Sequence, residues 1–227
     1  MTQDPKTTLL QAALPHVPFD GWSEATFRAA VQDAGMAPAL ARAICPRGAV
    51  DLALEYHAAG DASMRARLAG ADLSALRYRD RIAAGVRYRL EAADRELVRR
   101  GSALFALPQH APDGIRAVWG TADAIWDALG DTSDDINYYS KRAILSVVYA
   151  STLLFWLGDT SPGQTATWAF LDRRIENVMG FEKVKAQVKA NPLLKGLLAG
   201  PNWLLAKVKA PANGAPPDLP GRWARKS

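Results

Sequence analysis

The chain has 227 residues, 49% of them hydrophobic and 22% charged, and its 28 Lys and Arg against 23 Asp and Glu leave a net charge of +5. That length supports one large core, so one globular domain with appendages is expected. The single cysteine, Cys45, excludes an internal disulfide framework and fits a reducing compartment, while the polar opening residues 1–8, with Asp4 and no apolar or Arg-rich run, show no secretory or import pattern.

Three short helices are expected first, over Thr7–Leu14, Ser23–Ala34 and Pro38–Ile44, with Ser23 as a cap and Gly35 as a stop. Their spacing resembles the helix-turn-helix head of TetR-type regulators. A DNA-reading third helix needs Arg, Lys, Asn or Gln for base edges. Here Arg42 stands alone among Ala37, Pro38, Ala39, Leu40, Ala41, Ala43 and Ile44, which favours a packing role over operator binding. Two further pieces, Ala49–Ala59 and Ala62–Leu68, precede a long helix over Ser74–Arg100 whose inner stripe is Ile82, Val86, Leu90, Ala93 and Leu97. Its Arg-rich remainder, including Arg77, Arg79, Arg87, Arg89 and Arg99, is interleaved with Asp80, Glu91, Asp94 and Glu96 and reads as a solvated face. Tyr78 and Tyr88, ten residues apart, fall roughly 80° apart around a helix and make no common stacking platform.

After a Pro-rich connection, Pro108–Gly114, a helix carries Ile115, Val118, Trp119, Ala122, Ile125 and Trp126 on one face. Thr132, Ser133, Asp134 and Asp135 then supply caps and negative charge for a helix that ends near Leu157, before Gly158 and Pro162. Between Ala143 and Leu157 it is apolar or small on every side, which predicts burial all round. The run is shorter than the roughly 20 apolar residues of a membrane span. The following helix has one apolar stripe, Trp168, Leu171, Ile175 and Val178, with Asp172 and Glu176 beside Arg173 and Arg174 as surface ion pairs.

Positive charge is concentrated beyond this point. Residues 1–175 hold 19 basic and 20 acidic side chains, whereas 176–209 hold 6 and 2. Lysines beside Leu, Val and Trp suit an interfacial segment on anionic lipid: Phe181, Lys183, Val184, Lys185, Val188, Lys189, Leu194, Leu197, Trp203 and Leu204 are the candidate membrane-binding residues. The bland alternative is packing on protein. The Pro-, Ala- and Gly-rich residues 211–227 read as a disordered tail.

Catalytic signals are missing. His16, His57 and His110 lie near expected loops or helix ends, none within a Glu-x-x-His pattern, and there is no phosphate loop, dinucleotide fingerprint or nucleophile elbow. No catalytic residue, metal ligand or cofactor is assigned.

A set of motifs in 135–175 resembles the Coq nine family of ubiquinone-biosynthesis accessory proteins. The carriers are Asp135, Asn137, Tyr138, Tyr139, Arg142, Ala143 and Leu145; Val148, Tyr149 and Thr152; Asp159, Ser161 and Pro162; and Thr167, Phe170, Leu171, Arg174 and Ile175. Similarity reaches back through Arg79, Ile82 and Arg89. The chain departs at Tyr138, where Trp is common, at Leu153, where Glu often stands, and at Gly163-Gln164, often an acidic pair.

The resemblance implies an all-α, TetR-like helical bundle: a helix-turn-helix-like head over 1–62, a lipid-binding and dimerisation core over 63–179, a basic amphipathic segment over 180–210 and the tail. It implies a homodimer, an isoprenoid quinone precursor or phospholipid as ligand, and the pathway's di-iron hydroxylase as partner, with no nucleic acid. Trp119, Ile144, Val148, Leu154 and Phe155 are the candidate lipid-binding residues, and Tyr138, Tyr139 and Arg142 the candidate partner surface. The expected location is cytoplasmic, peripheral on the inner face of a bacterial membrane. A TetR-like regulator with an apolar effector pocket is the alternative, and an enzyme of the quinone pathway a third reading.

Overall fold

A computed structural model describes residues 4–134 and 136–190, with side chains through 178. Every regular element among them is helical. The head contains α1 (Pro5–Ala13), α2 (Val17–Asp20), α3 (Glu24–Asp33) and α4 (Pro38–Ile44). Asp4 caps α1 through the amide of Thr7, and Ser23 caps α3 through the amide of Thr26, as its sequence position suggests. α5 (Ala49–Gly70) follows, then α6 (Tyr78–Glu91), α7 (Arg95–Phe105), α8 (Ala111–Ala128), α9 (Ile136–Gly158) and α10 (Thr165–Ala190).

Two apolar clusters organise these helices. One joins Leu9 and Ala13 of α1, Phe27 and Ala30 of α3, and Leu52 of α5 with Leu97 of α7. The other joins Met64 of α5, Val86 and Leu90 of α6, Ile125 of α8, Leu145 and Tyr149 of α9, and Leu171 of α10. α5 runs through both, so the boundary expected at residue 62 falls inside a continuous helix.

Four expectations are corrected. Ala49–Ala59 and Ala62–Leu68 are one 22-residue helix, not two. His57 therefore sits within a helix and not near a loop. The long helix expected over Ser74–Arg100 is two, because the Asp94 carboxylate accepts from the amides of Glu96, at 2.8 Å, and Leu97, at 3.0 Å, and starts α7 afresh. The Arg-rich face is largely paired at the surface, as in Arg87 with Glu91, but Arg89 is an exception: it is 3% exposed and bonds Asp61 at 2.6 Å.

α9 spans about 35 Å at 1.5 Å per residue, and its burial is one-sided. Arg142, Leu145, Tyr149, Thr152 and Trp156 form the buried stripe, while Val147 and Leu154 are 69% and 65% exposed. The burial expected on every side of α9 is thus corrected: its apolar residues off the stripe stay exposed in this chain.

Gly60 explains why a glycine persists in the middle of α5. A Cβ there would lie 2.6 Å from Arg89 Cζ, so the bare backbone makes room for the guanidinium. Gly to Ala inside a helix ordinarily stabilises by about 1 kcal/mol. Gly60→Ala should instead destabilise by about 1–3 kcal/mol through overpacking, read as a lower denaturant midpoint; a raised midpoint would disprove this account of the glycine.

Candidate functional site

Large side chains fill the two clusters, but between them α5, α7, α8 and α9 face one another with small residues. Ala53, Gly101, Ala106, Ala117 and Ala150 leave a cavity of about 490 Å³, within the size range of small-molecule sites. Trp22, Leu97, Phe105, Trp119 and Leu153 make its walls apolar and aromatic. Ile115, Val147 and Leu154 also line it and are 65% exposed or more, which puts the mouth between α8 and α9.

The buried end is polar. Arg89 donates to Asp61 and, at 3.1 Å, to the carbonyl of His57. Thr121 of α8 donates to the same Asp61 oxygen at 2.8 Å. The His57 Nε2 lies 3.0 Å from the Ala117 carbonyl and 2.8 Å from Thr121 Oγ1. One network therefore ties α5, α6 and α8 together beneath the cavity, and its Arg charge is matched by a carboxylate.

Two further hydroxyls, both on α9, are buried in this region. The Ser146 hydroxyl oxygen is buried without a hydrogen-bond partner, and the Tyr149 phenol is buried against Thr121, with Arg89 and Asp61 close by. On the same helix Ser151 and Thr152 bond back to the Val148 carbonyl. A buried polar group left unpaired costs about 1–3 kcal/mol. Burial pushes the Tyr149 phenol up, so it stays protonated and can both donate and accept.

The five candidate lipid residues divide. Trp119 and Leu154 line the cavity. Val148 is packed in the core at 4% exposure, Ile144 is half-buried away from the lining, and Phe155 stacks on Phe170 with centroids 4.5 Å apart. The lining face of α9 is Ser146, Ala150 and Leu153, a register that a search for large apolar residues passes over. The missed signal is the set of small residues at helical spacing, such as Gly114 with Ala117 and Ser146 with Ala150.

The candidate partner residues are adjacent to the cavity. Tyr139 packs against Trp119 at 6.4 Å and edge-on against Tyr138 at 5.1 Å. Arg142 lies beneath them, 1% exposed, under the Tyr138 ring and paired with Asp123, Asp127 and Asp131. It fastens α9 to the end of α8 and supports the tyrosines from below. The Asp-x-Ser-Pro turn is likewise a fastening: Asp159 accepts from the Ser161 amide and from the Thr167 amide and hydroxyl, and these bonds, that of the Thr167 hydroxyl above all, hold its carboxyl far below the usual range.

Among the described residues no cluster of three or more His, Cys, Asp or Glu is arranged for a metal. Cys45 is fully buried, and burial pushes its thiol up. No described helix is long and apolar enough to cross a membrane. Of the candidate membrane residues, Phe181, Lys183, Val184, Lys185, Val188 and Lys189 fall on the α10 backbone beyond the last described side chain, and Leu194, Leu197, Trp203 and Leu204 lie outside the described residues.

Comparison with known proteins agrees with the motif reading. Residues 111–182, the span from α8 into α10, match the COQ9 family model. The mitochondrial ubiquinone biosynthesis protein COQ9 of Rattus norvegicus is 29% identical over 201 residues, 84% of this chain and 64% of the rat protein. That of Drosophila melanogaster is 28% identical over 190 residues, 81% of this chain and 58% of its own. The Homo sapiens protein is 33% identical over a shorter 101 residues, 44% of this chain and 32% of the human one. The chain thus spans less than two thirds of these relatives. Among solved structures, a TetR transcriptional regulator from Nitrosomonas europaea superposes with a TM-score of 0.61 at 17% identity, covering 76% of this chain and 97% of the regulator. The fold is therefore all-α and TetR-like, as the sequence leads one to expect.

His57 gives the site a pH signature. Burial first, and then the neighbouring Arg89 charge, hold its pKa below the ordinary imidazole value. On unfolding it regains a pKa of about 6.5. The unfolded chain then binds a proton that the folded chain refuses, so this contribution is complete above about pH 6.5 and is lost as the pH falls toward the folded value. His57→Gln, which can still donate an amide N–H to Ala117, should lose less melting temperature than wild type between about pH 7.5 and pH 5.5. Equal losses would show that His57 is not strained by protonation.

Proposed function

From the likeness of this chain to COQ9 proteins we propose that it is a non-enzymatic, lipid-binding accessory protein of ubiquinone biosynthesis. The observation that carries the reading is the apolar cavity, polar at its buried end and open between α8 and α9, the two of its walls that lie in the stretch matching the COQ9 family. Its ligand is an isoprenoid quinone precursor or a phospholipid. Taking such a chain out of a bilayer costs about 0.8 kcal/mol per exposed methylene unless another apolar wall replaces the lipid. The cavity supplies that wall.

Presentation to the pathway's di-iron hydroxylase is the second part of the proposal. Tyr138 and Tyr139 form the docking surface, with Arg142 holding them from beneath, and the Tyr139–Trp119 contact places that surface next to the cavity wall. A homodimer would use α9 and α10, where Phe155 and Phe170 stack. The basic segment over 180–210 would hold the protein on the inner face of a bacterial membrane.

The regulator reading is weaker. The only basic side chain of α4, Arg42, is already paired with Glu24 and laid over the Phe27 ring at 4.5 Å, which leaves little for base edges or phosphates. Likeness to a TetR regulator extends to the fold alone.

Mass spectrometry of an organic extract of the purified chain should find an isoprenoid quinone, its precursor or a phospholipid in near-stoichiometric amount. Ala150→Trp, which fills the cavity, should strip that lipid while the protein stays folded; an empty extract from folded wild-type protein would sink the lipid assignment. Separately, truncation after Met179 should abolish sedimentation with anionic vesicles and leave the circular dichroism of the helical domain intact. Undiminished sedimentation would remove the C-terminal segment from the membrane role.

A further inference from the structure

Several of the exposed apolar side chains gather on one flank. Phe19 of α2 is 82% exposed, Ile115 of α8 is 70% exposed, and Leu107, in the turn between α7 and α8, is 44% exposed. Contacts along α7 connect the three. Arg100 of α7 donates to the Pro18 carbonyl at 2.6 Å and so holds α2 against that helix. Leu107 follows Arg100 by about two turns. The end of α7 then presses on the start of α8, where a Cβ at Gly114, next to Ile115, would lie 2.8 Å from Phe105 Cβ. Single exposed apolar residues need no explanation, but a group of them on one flank does.

Charge is withheld from this flank. Residues 101–112 contain no Lys, Arg, Asp or Glu, although 22% of the whole chain is charged. The arginines earlier on α7 are turned onto backbone carbonyls, Arg95 at Asp159, Arg99 at Leu157 and Arg100 at Pro18. Asp113, just past the turn, is buried and paired with Arg47 and Arg116. Asp20 beside Phe19 and Arg116 beside Ile115 stand at the edge, one charge of each sign. A strongly charged partner therefore gains little here. Apolar side chains that project from a short helix and a turn fit the acyl boundary of a bilayer, with both edge charges left among zwitterionic headgroups. A protein partner is met instead by well-packed pockets.

We propose that Phe19, Leu107 and Ile115 form a membrane-inserting flank of the folded domain, which seats in the acyl boundary of an uncharged bilayer independently of the basic C-terminal segment. This rests on the reading that the chain works at a membrane, and adds a second contact of different physics. Lysines over 180–210 draw on anionic headgroups and lose strength as salt rises. The flank draws on apolar burial and holds in salt. Stable attachment generally takes two such signals. Because Ile115 also lines the cavity, seating the flank turns the mouth toward the bilayer.

The test uses the full-length chain and phosphatidylcholine vesicles, which offer the basic segment no net anionic charge. Wild-type protein should sediment with them equally well between about 50 and 500 mM salt. Phe19→Glu and Leu107→Glu, both at exposed positions, should each weaken that partition about tenfold and leave the circular dichroism unchanged. A fluorophore then reports position. Cys45 is fully buried, so an environment-sensitive dye goes to the thiol introduced by Phe19→Cys, by Leu107→Cys or, on the exposed loop between α5 and α6, by Asp72→Cys. Quenchers carried on the lipid acyl chains should dim the first two dyes and not the third. The flank is overturned if wild-type protein does not sediment with these vesicles, or if the dyes at 19 and 107 stay bright on sedimented protein. It is also overturned if those dyes shift with rising protein concentration and no vesicles, which would make this surface a contact between copies. The organic extract and the anionic vesicles read the proposed function separately, so it stands or falls apart from this result.

Discussion

Beneath the cavity, the Arg89–Asp61 ion pair sets conditions that much of the helical core must meet. Neither group could be buried alone, since removing one partner of such a pair leaves a bare charge and typically costs about 3–5 kcal/mol. The guanidinium therefore demands a carboxylate on α5, a carbonyl from the same helix and a gap in its surface, which Asp61, His57 and Gly60 supply. Thr121 extends the arrangement to α8. With three helices held at this level by polar bonds, the apolar space above them stays open without collapsing the bundle.

The same division between polar fastening and apolar opening recurs on α9. Its buried stripe is anchored at one end by Arg142 among three aspartates and at the other by the turn in which Asp159 caps α10. Arg95 and Arg99 of α7 reach the carbonyls of Asp159 and Leu157 and close that end against the neighbouring helix. Several residues that carry the family likeness thus serve to hold α9 in place. Between the anchors, its other face is free to line a cavity and to present Val147 and Leu154 at the mouth.

This arrangement is compatible with the proposed role in lipid handling on a TetR-like fold. In both uses a helical bundle encloses an apolar space, and what distinguishes them is the head and the surface around the opening. Here Arg42 is tied down in the head, whereas the aromatic series Trp119, Tyr139 and Tyr138 connects the cavity wall to the surface. A ligand's presence in the cavity and a partner's contact with the tyrosines would be separated by a single ring contact.

Local signals in the sequence determined most of the helices. Ser23 and the Gly35 stop set the ends of α3, and the apolar stripe Trp168, Leu171 and Ile175 identified the packed side of α10. Each is a matter of cap chemistry or period within one helix. Three features depended on contacts far along the chain, and only the tertiary structure decided them. Gly60 looks like a helix break until Arg89, 29 positions later, is placed against it. Arg89 looks solvated among its arginine neighbours until Asp61 is found beneath it. The cavity left no mark in hydrophobicity, because a cavity arises where side chains from four helices are jointly too small to meet, and no single helix records what the others lack.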